Sequence, residues 1–334
     1  MNKTEILSAK QKPSRSNTNK IVPKSKRVTT RHIAIPNSDT LMPVTVVGVG
    51  EPLVLVHAFG MDAREFLPFV LPLAGKYQIF LPHMRGFGLA KDTNTTQFDF
   101  LDQYAQDVNA LINSVCLRRG MDSIPVAAIS MGAQIMWAYF TRYGSDRVSR
   151  YLNIDQTPTI HNQSDWQGGL FGSRQEEVFG VFKELLDAGS EYAHVDSFID
   201  LPHTLKRQTT DVERLFSLLS VGRPSSEMYV KVKTRKPDKK LAAYTHDIWR
   251  QKMLCLQAYL DLPYDFRDTA ENLSIPVVNM IGGRSKLYDL DWQTKTTKMI
   301  PNATEIIFPK AGHAIPIDAP IGFYKALKNF APAS

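Results

Sequence analysis

The sequence of 334 residues is poor in cysteine, with two, and it has no apolar run long enough to cross a membrane. Because a membrane-spanning helix needs about 20 mostly apolar residues, we predict no integral membrane segment. The first residues lack the apolar core of a secretory signal, so export is not expected. Cys116 and Cys255 are predicted to be buried thiols rather than a disulfide, and the cytoplasm is the default location.

Two common ligand-binding motifs are also missing. No set of Cys and His residues has the spacing of a metal site. Gly48-Val-Gly50 precedes a strand rather than a helix, and it lacks the third glycine of a dinucleotide-binding loop. We therefore predict neither a bound metal nor a cofactor.

Acidic residues are scarce at the start of the chain, where the first 31 residues hold nine basic groups and one acid. The other residues have 31 basic and 32 acidic groups, so nearly all of the formal net charge of +7 lies in this segment. Because the body of the chain is close to neutral, we predict no nucleic-acid partner. Residues 1–30 also have too few apolar side chains to form a core, and they are predicted to be a disordered basic tail. A second basic run, at residues 231–240, predicts a solvated loop.

The rest of the chain alternates short apolar segments with amphipathic ones. Helices are predicted over residues 63–74, with Asp62 as N-cap, over 98–119, and from about residues 130, 291 and 318, with Asp318 capping the last. Strands are predicted at residues 31–35, 42–47, 53–56, 77–81, 125–129, 150–154, 276–281 and 304–308. This order predicts an α/β fold with a mostly parallel sheet flanked by helices.

A long segment interrupts that alternation between residues 157 and 274. It contains thirteen aromatic residues, and its apolar positions are too frequent for a loop. A structureless loop of this length would be unusual inside a domain. We therefore predict that residues 157–274 form a helical cap inserted into a core made of residues 31–156 and 275–334.

The most informative short motif is Ala128-Ile-Ser-Met-Gly132, where Ser130 follows an apolar strand and precedes a helix. A serine at such a turn projects its hydroxyl above the edge of the sheet, beside the free N–H groups of the helix N-terminus. The small residues two before and two after the serine fit a tight turn. Ser130 is therefore a candidate nucleophile, although a serine that only caps the helix would give the same pattern.

Two further loops follow predicted strands. His57-Ala-Phe-Gly60 can bring the N–H of Phe59 towards the N–H of Met131, and two such donors would form an oxyanion hole. His57 itself is expected to fix this loop rather than to catalyse. In Lys310-Ala-Gly-His-Ala314, His313 follows the last strand and is the candidate general base, with Gly312 allowing a sharp turn beside it.

With these motifs in order, residues 31–330 resemble the α/β-hydrolase superfamily. The matching segments are His57-Ala-Phe-Gly60, Pro82-His-Met-Arg-Gly-Phe-Gly88, Ala128-Ile-Ser-Met-Gly132 and Gly312-His313. Ala58, His83 and Ala128 depart from the residues usual in the family. His83 stands where the family usually has Asp, which leaves the partner of Arg85 open.

The acid that would orient His313 has more than one candidate. The family usually places it about 28 residues before the histidine, where this chain has Ser285. Some family members instead place it after the sixth strand, and here Asp155 occupies that position. We favour Asp155 over Asp289, with Asp291 close by as a further candidate whose simpler role is to cap a helix.

These residues together predict a serine hydrolase of the carboxylesterase type. Ser130 would attack an ester or related acyl carbonyl, His313 would take its proton, and Asp155 would orient His313. The N–H groups of Phe59 and Met131 would hold the oxyanion.

The aromatic cap favours a small to medium, largely apolar acyl substrate. Other reactions on the same residues stay open, namely perhydrolysis or haloperoxidation, acyl transfer and C–C bond hydrolysis. A non-catalytic ligand-binding protein is also open, because the usual acid position holds Ser285. The sequence does not fix the oligomeric state.

Overall fold

The computed structural model describes residues 27–36, 38–234 and 249–330. Its sheet of eight strands has the order β1-β2-β4-β3-β5-β6-β7-β8. The strands β1 and β2 are antiparallel to their neighbours, and all pairs from β4 through β3 to β8 are parallel. The strands are β1 (Val28–Ala34), β2 (Leu41–Gly48), β3 (Glu51–Val56), β4 (Tyr77–Pro82), β5 (Ile124–Ile129), β6 (Val148–Ile154), β7 (Val277–Gly282) and β8 (Ala303–Phe308). The predicted mostly parallel sheet is confirmed.

The central strands are buried on both faces, because their alternate side chains enter two separate apolar cores. In β3, Val54 and Val56 pack into one core, and Leu53 and Leu55 pack into the other. A strand covered on both sides has no polar face, which is why these strands have continuous apolar sequences.

Helices cover both faces of the sheet. They are α1 (Leu67–Val70), α2 (Phe100–Arg119), α3 (Met131–Tyr143), α4 (Gln175–Ser190), α5 (His203–Ser220), α6 (Pro224–Lys233), α7 (Trp249–Asp261), α8 (Arg267–Glu271), α9 (Leu290–Met299), α10 (Ile315–Asp318) and α11 (Pro320–Phe330). Buried side chains of α2 and α3 belong to the first core, and those of α11 belong to the second.

Three boundaries differ from the sequence predictions. The strand β1 begins at Val28 rather than at residue 31, so the segment assigned to the tail ends earlier, and residues 1–26 lie outside the described residues. The helix predicted over residues 63–74 is divided into two 3-10 turns and α1, in which Pro68 and Pro72 begin new turns. Asp62 caps it as predicted, in a capping box with Glu65. The basic run at residues 231–240 was predicted to be a loop, but its residues 231–233 form the end of α6, and residues 235–240 lie outside the described residues.

The segment between β6 and β7 holds α4, α5, α6, α7 and α8. Aromatic side chains join these helices, and Phe171 contacts both Phe182 and Phe216 edge to face. Cys116 and Cys255 are buried free thiols, as predicted. Among the described residues, no helix is long and apolar enough to cross a bilayer. Within the same ranges, no group of His, Cys, Asp and Glu residues is arranged to hold a metal ion.

Candidate active site

Ser130 lies on a strained turn between β5 and α3. Its φ is 54°, a value that residues other than glycine rarely adopt. The turn is tight because α3 approaches the end of β3 closely: a Cβ on Gly132 would lie 2.5 Å from the carbonyl oxygen of Val56. The requirement for glycine at position 132 therefore comes from this close approach.

Asp155 and His313 are joined by a hydrogen bond at the same edge of the sheet. His313 Nδ1 lies 2.8 Å from Asp155 Oδ2, and both side chains are buried. Asp155 follows β6 directly, and its φ of 51° makes it, with Ser130 and Phe171, one of three described residues other than glycine with a positive φ. The other ring nitrogen, His313 Nε2, is buried without a hydrogen-bond partner in the described structure. That nitrogen can therefore accept a proton from a reacting group.

Four donors surround the Asp155 carboxylate. Oδ1 accepts hydrogen bonds from the backbone N–H of Gly282 at 2.6 Å and from Gln293 Nε2 at 3.0 Å. Oδ2 accepts from the Ser285 hydroxyl at 2.7 Å and from His313 at 2.8 Å. Such a set of donors fixes the orientation of the carboxylate.

The two other candidate acids lie elsewhere. Asp289 precedes α9, is exposed, and faces Gly172, where a Cβ would lie 2.6 Å from its Oδ2. Partial burial and the nearby Asp291 carboxylate raise the pKa of Asp289. Asp291 is exposed in the first turn of α9. Of the three acids, Asp155 is the one that contacts His313.

The loop carrying His313 is held by Asp318, a contact that the sequence did not predict. Asp318 is buried, and its Oδ2 accepts hydrogen bonds from the N–H groups of Gly312 at 2.8 Å and Gly222 at 2.7 Å. The prediction that Asp318 caps the last helix is therefore wrong, because its carboxylate binds the backbone N–H groups of Gly312 and Gly222 instead. Glycine at 312 is needed for close approach, since a Cβ there would lie 2.5 Å from the nitrogen of Gly222.

Phe59 and Met131 lie beside Ser130, and all three line one narrow pocket. Met131 is the first residue of α3, where backbone N–H groups have no partner within the helix. Phe59 belongs to the loop after β3, and its ring packs against Phe87. The two predicted oxyanion-hole residues are thus brought together with the candidate nucleophile.

His57 has both ring nitrogens occupied. Its Nε2 accepts a hydrogen bond from the N–H of Met84 at 3.1 Å, so Nδ1 carries the proton and donates to the carbonyl of Ala58 at 2.8 Å. Burial lowers the pKa of His57 to about 4, which keeps the ring neutral. These contacts agree with a role in fixing the loop.

His83 and Arg85 resolve the question raised by the missing aspartate. His83 Nδ1 accepts from the N–H of Leu89 at 3.1 Å, and its Nε2 contacts the Thr45 hydroxyl at 2.9 Å. Burial lowers the pKa of His83 to about 4. Arg85 instead forms a buried two-pronged pair with Asp107, at 2.7 and 3.0 Å. The histidine therefore replaces the acceptor function of an aspartate, and a different carboxylate neutralises the arginine.

The pocket at Ser130 is narrow and mostly apolar, with a volume of about 20 Å³. Next to it lies a larger cavity of about 300 Å³ that contains the Lys252–Glu213 ion pair. The two share four lining residues: Phe59, Phe182, Phe216 and Leu256. These four side chains therefore border both cavities.

Comparisons with known proteins agree with this architecture. A family model described as alpha/beta hydrolase fold matches residues 51–320. A pimeloyl-[acyl-carrier protein] methyl ester esterase of Aliivibrio salmonicida is 23% identical over 267 residues, covering 80% of this chain and 87% of that protein. An esterase from Exiguobacterium antarcticum has a TM-score of 0.70 at 17% identity, covering 90% of this chain and 99% of that structure. A bromoperoxidase from Bacillus anthracis has a TM-score of 0.63 at 18% identity, covering 90% and 98%.

The family match covers most of the chain, and it confirms the resemblance drawn from the motifs. It begins at the first residue of β3 and ends at the first residue of α11, so it spans every loop that contributes to the site described above. This chain belongs to the alpha/beta hydrolase fold family.

Proposed function

We propose that this protein is a serine esterase with Ser130, His313 and Asp155 as its catalytic triad. The observation that carries the proposal is the 2.8 Å hydrogen bond between Asp155 and His313, at the sheet edge where Ser130 occupies its strained turn. A serine on such a turn and a histidine oriented by a buried carboxylate are the elements of acyl transfer.

The reaction begins when the Ser130 oxygen attacks the ester carbonyl and its proton passes to His313 Nε2. Asp155 holds Nδ1–H and stabilises the imidazolium that forms. The backbone N–H groups of Phe59 and Met131 stabilise the oxyanion. His313 then protonates the leaving alcohol, and a water activated by the same nitrogen releases the acid from the acyl-enzyme. No cofactor takes part in these steps.

The substrate we propose is an ester with a small to medium, largely apolar acyl group. The Ser130 pocket is lined by aromatic and aliphatic side chains, among them Phe182, Phe216 and Leu256. These three come from residues 157–274, which we propose to be a cap over the site. The esterase names of the similar proteins support ester hydrolysis. A cytoplasmic location stays a prediction.

Labelling with a fluorophosphonate tests the proposal. The wild-type protein should be labelled covalently and should lose p-nitrophenyl acetate hydrolysis, whereas Ser130→Ala should take up no label. Ser190→Ala is the matched control, because Ser190 is an exposed serine at the end of α4. Folded wild-type protein that stays unlabelled, or label retained in Ser130→Ala, would contradict the proposal. A panel of esters, of carboxylic acids with hydrogen peroxide, and of C–C substrates then separates the reactions that one triad can perform.

A further inference from the structure

Ser285 contacts the same carboxylate oxygen that holds His313. Its hydroxyl lies 2.7 Å from Asp155 Oδ2, and His313 Nδ1 lies 2.8 Å from that oxygen. The Ser285 oxygen also accepts from the backbone N–H groups of Leu287 and Tyr288, at 3.4 and 3.3 Å. Because these two groups are donors, the hydroxyl proton is left for Asp155.

The turn that carries Ser285 holds both oxygens of Asp155. The N–H of Gly282 binds Oδ1 and the Ser285 hydroxyl binds Oδ2, while Ser285 N–H closes the turn on the carbonyl of Gly282 at 3.0 Å. One donor on each oxygen stops rotation of the carboxylate about its Cβ–Cγ bond. The plane of the carboxylate, and with it the direction offered to His313 Nδ1, is therefore set by this turn together with Gln293, which also donates to Oδ1.

We propose that Ser285 is a positioning residue for the triad, acting through Asp155. The inference rests on the proposed function, since it concerns the orientation of the proposed base. A hydroxyl suits the position because a neutral donor aligns the carboxylate, whereas a second carboxylate would repel it and favour its protonation. Ser285 lies in the turn after β7 and therefore supports Asp155, which follows the neighbouring strand β6.

The first experiment separates positioning from substrate binding. Ser285→Ala should lower kcat about tenfold and leave KM for p-nitrophenyl acetate within about twofold, as expected for a lost hydrogen bond to a charged group that acts in the transition state. Ser285→Thr keeps the hydroxyl and should recover most of kcat. Ser190→Ala is again the matched control, and the thermal midpoint of each variant verifies folding. An unchanged kcat in Ser285→Ala, or a rise in KM alone, would overturn the proposal.

The second experiment tests whether Ser285 acts through Asp155. In an Asp155→Ala background, Ser285→Ala should change the residual acylation rate by less than about twofold, because its partner has already been removed. A further tenfold loss in that background would show an independent role and reject the inference.

The experiments distinguish failure of the proposed function from failure of the proposed role of Ser285. Ester hydrolysis that persists in Ser130→Ala would remove the proposed function itself. If Ser130→Ala is inactive while Ser285→Ala keeps the wild-type kcat, the proposed function stands and the role of Ser285 does not.

Discussion

Ser130 and Asp155 both have a positive φ, 54° and 51°, which is unusual for residues other than glycine. Such a conformation costs about 1–3 kcal/mol for a residue other than glycine, and it persists where the surrounding structure fixes it. Each residue follows one of two neighbouring parallel strands directly, so the strain turns both side chains at the same edge of the sheet. The motif around Ser130 predicts its turn from the sequence, whereas the residues around Asp155 contain no motif that predicts a positive φ there.

The choice between the two acids can be tested directly. Asp155→Asn should lower the single-turnover acylation rate by about 10⁴-fold, since an amide can leave His313 in the wrong tautomer and cannot stabilise its charged form. Asp289→Asn should change this rate by less than about twofold, because Asp289 is exposed and faces Gly172. A large loss for Asp289→Asn alone would reverse the assignment.

The buried His57 should make stability depend on pH. Burial lowers its pKa from 6.5 to about 4, so the unfolded chain binds a proton more readily than the folded protein. The contribution of His57 to the free energy of unfolding is complete above pH 6.5, and it decreases as the pH falls towards about 4. We expect the free energy of unfolding to lose about 2 kcal/mol from this group between pH 7.5 and pH 5.

Urea unfolding at the two pH values measures this loss. His57→Gln removes the titrating ring, and its loss between the two pH values should be about 2 kcal/mol smaller than that of the wild type. Equal losses in the two proteins would contradict the assignment. His83, whose pKa burial also lowers to about 4, acts in the same direction and is left unchanged in this comparison.

At the scale of elements, the loop after β8 depends on a contact between distant parts of the chain. The Asp318 carboxylate accepts hydrogen bonds from the N–H of Gly312, beside His313, and from the N–H of Gly222, just after α5. The N–H of Ala314 also binds the carbonyl of Ser220, at 2.7 Å. The segment at residues 220–222 is therefore part of the support of His313.

Asp318→Ala should leave the buried N–H of Gly312 and the partly buried N–H of Gly222 without this acceptor. We expect it to lower the free energy of unfolding by about 3 kcal/mol and to reduce kcat as well, because the His313 loop loses its anchor. Asp187→Ala, at an exposed position of α4, should stay within about 0.5 kcal/mol of the wild type. Denaturant unfolding and ester turnover measured on the same samples check both effects. A variant that keeps wild-type stability and kcat would show that the anchor is dispensable.

The elements that the sequence predicted well are those whose signal is local. The strands of the central sheet and the helix that Gly120 ends follow from apolar periodicity and from a glycine with a φ of 62°. Asp318 was misinterpreted because an aspartate before a helix has the same local pattern whether it caps that helix or binds a group 96 residues away. The start of β1 was missed because basic and polar residues on an exposed edge strand resemble a tail.

At the scale of the whole molecule, residues 1–26 precede both the sheet and the region that matches the family. The match to the family begins at residue 51, and the sheet begins at Val28. Deletion of residues 1–26 should therefore leave kcat for p-nitrophenyl acetate within about twofold and the thermal midpoint within about 2 °C. The cut falls after residue 26 rather than later because Val28 pairs with Val47 in the sheet. A large loss of kcat on this soluble ester would show that the basic segment contributes to catalysis.

The site as a whole was predictable to the extent that topology alone determines it. Parallel strands bring their carboxyl ends to one edge, so Ser130, Asp155 and His313 were expected to meet from their places after strands. The donors around Asp155 were not predicted. Gln293, for example, lies on a helix whose buried polar face has no recognisable motif. Ser285 was noticed only as a missing acid, and its hydrogen bond depends on three-dimensional contact.

The close approach of the Gly222 and Gly312 backbones also restricts large movements of the segments that carry them. If α5 moved away from the sheet as a rigid body, its end would pull on the loop that carries His313, because the two are joined by the Ala314–Ser220 hydrogen bond and by Asp318. Such a movement would therefore disturb the pairing of His313 with Asp155. Rotation of the phenylalanine rings that border both cavities would leave these backbone contacts intact.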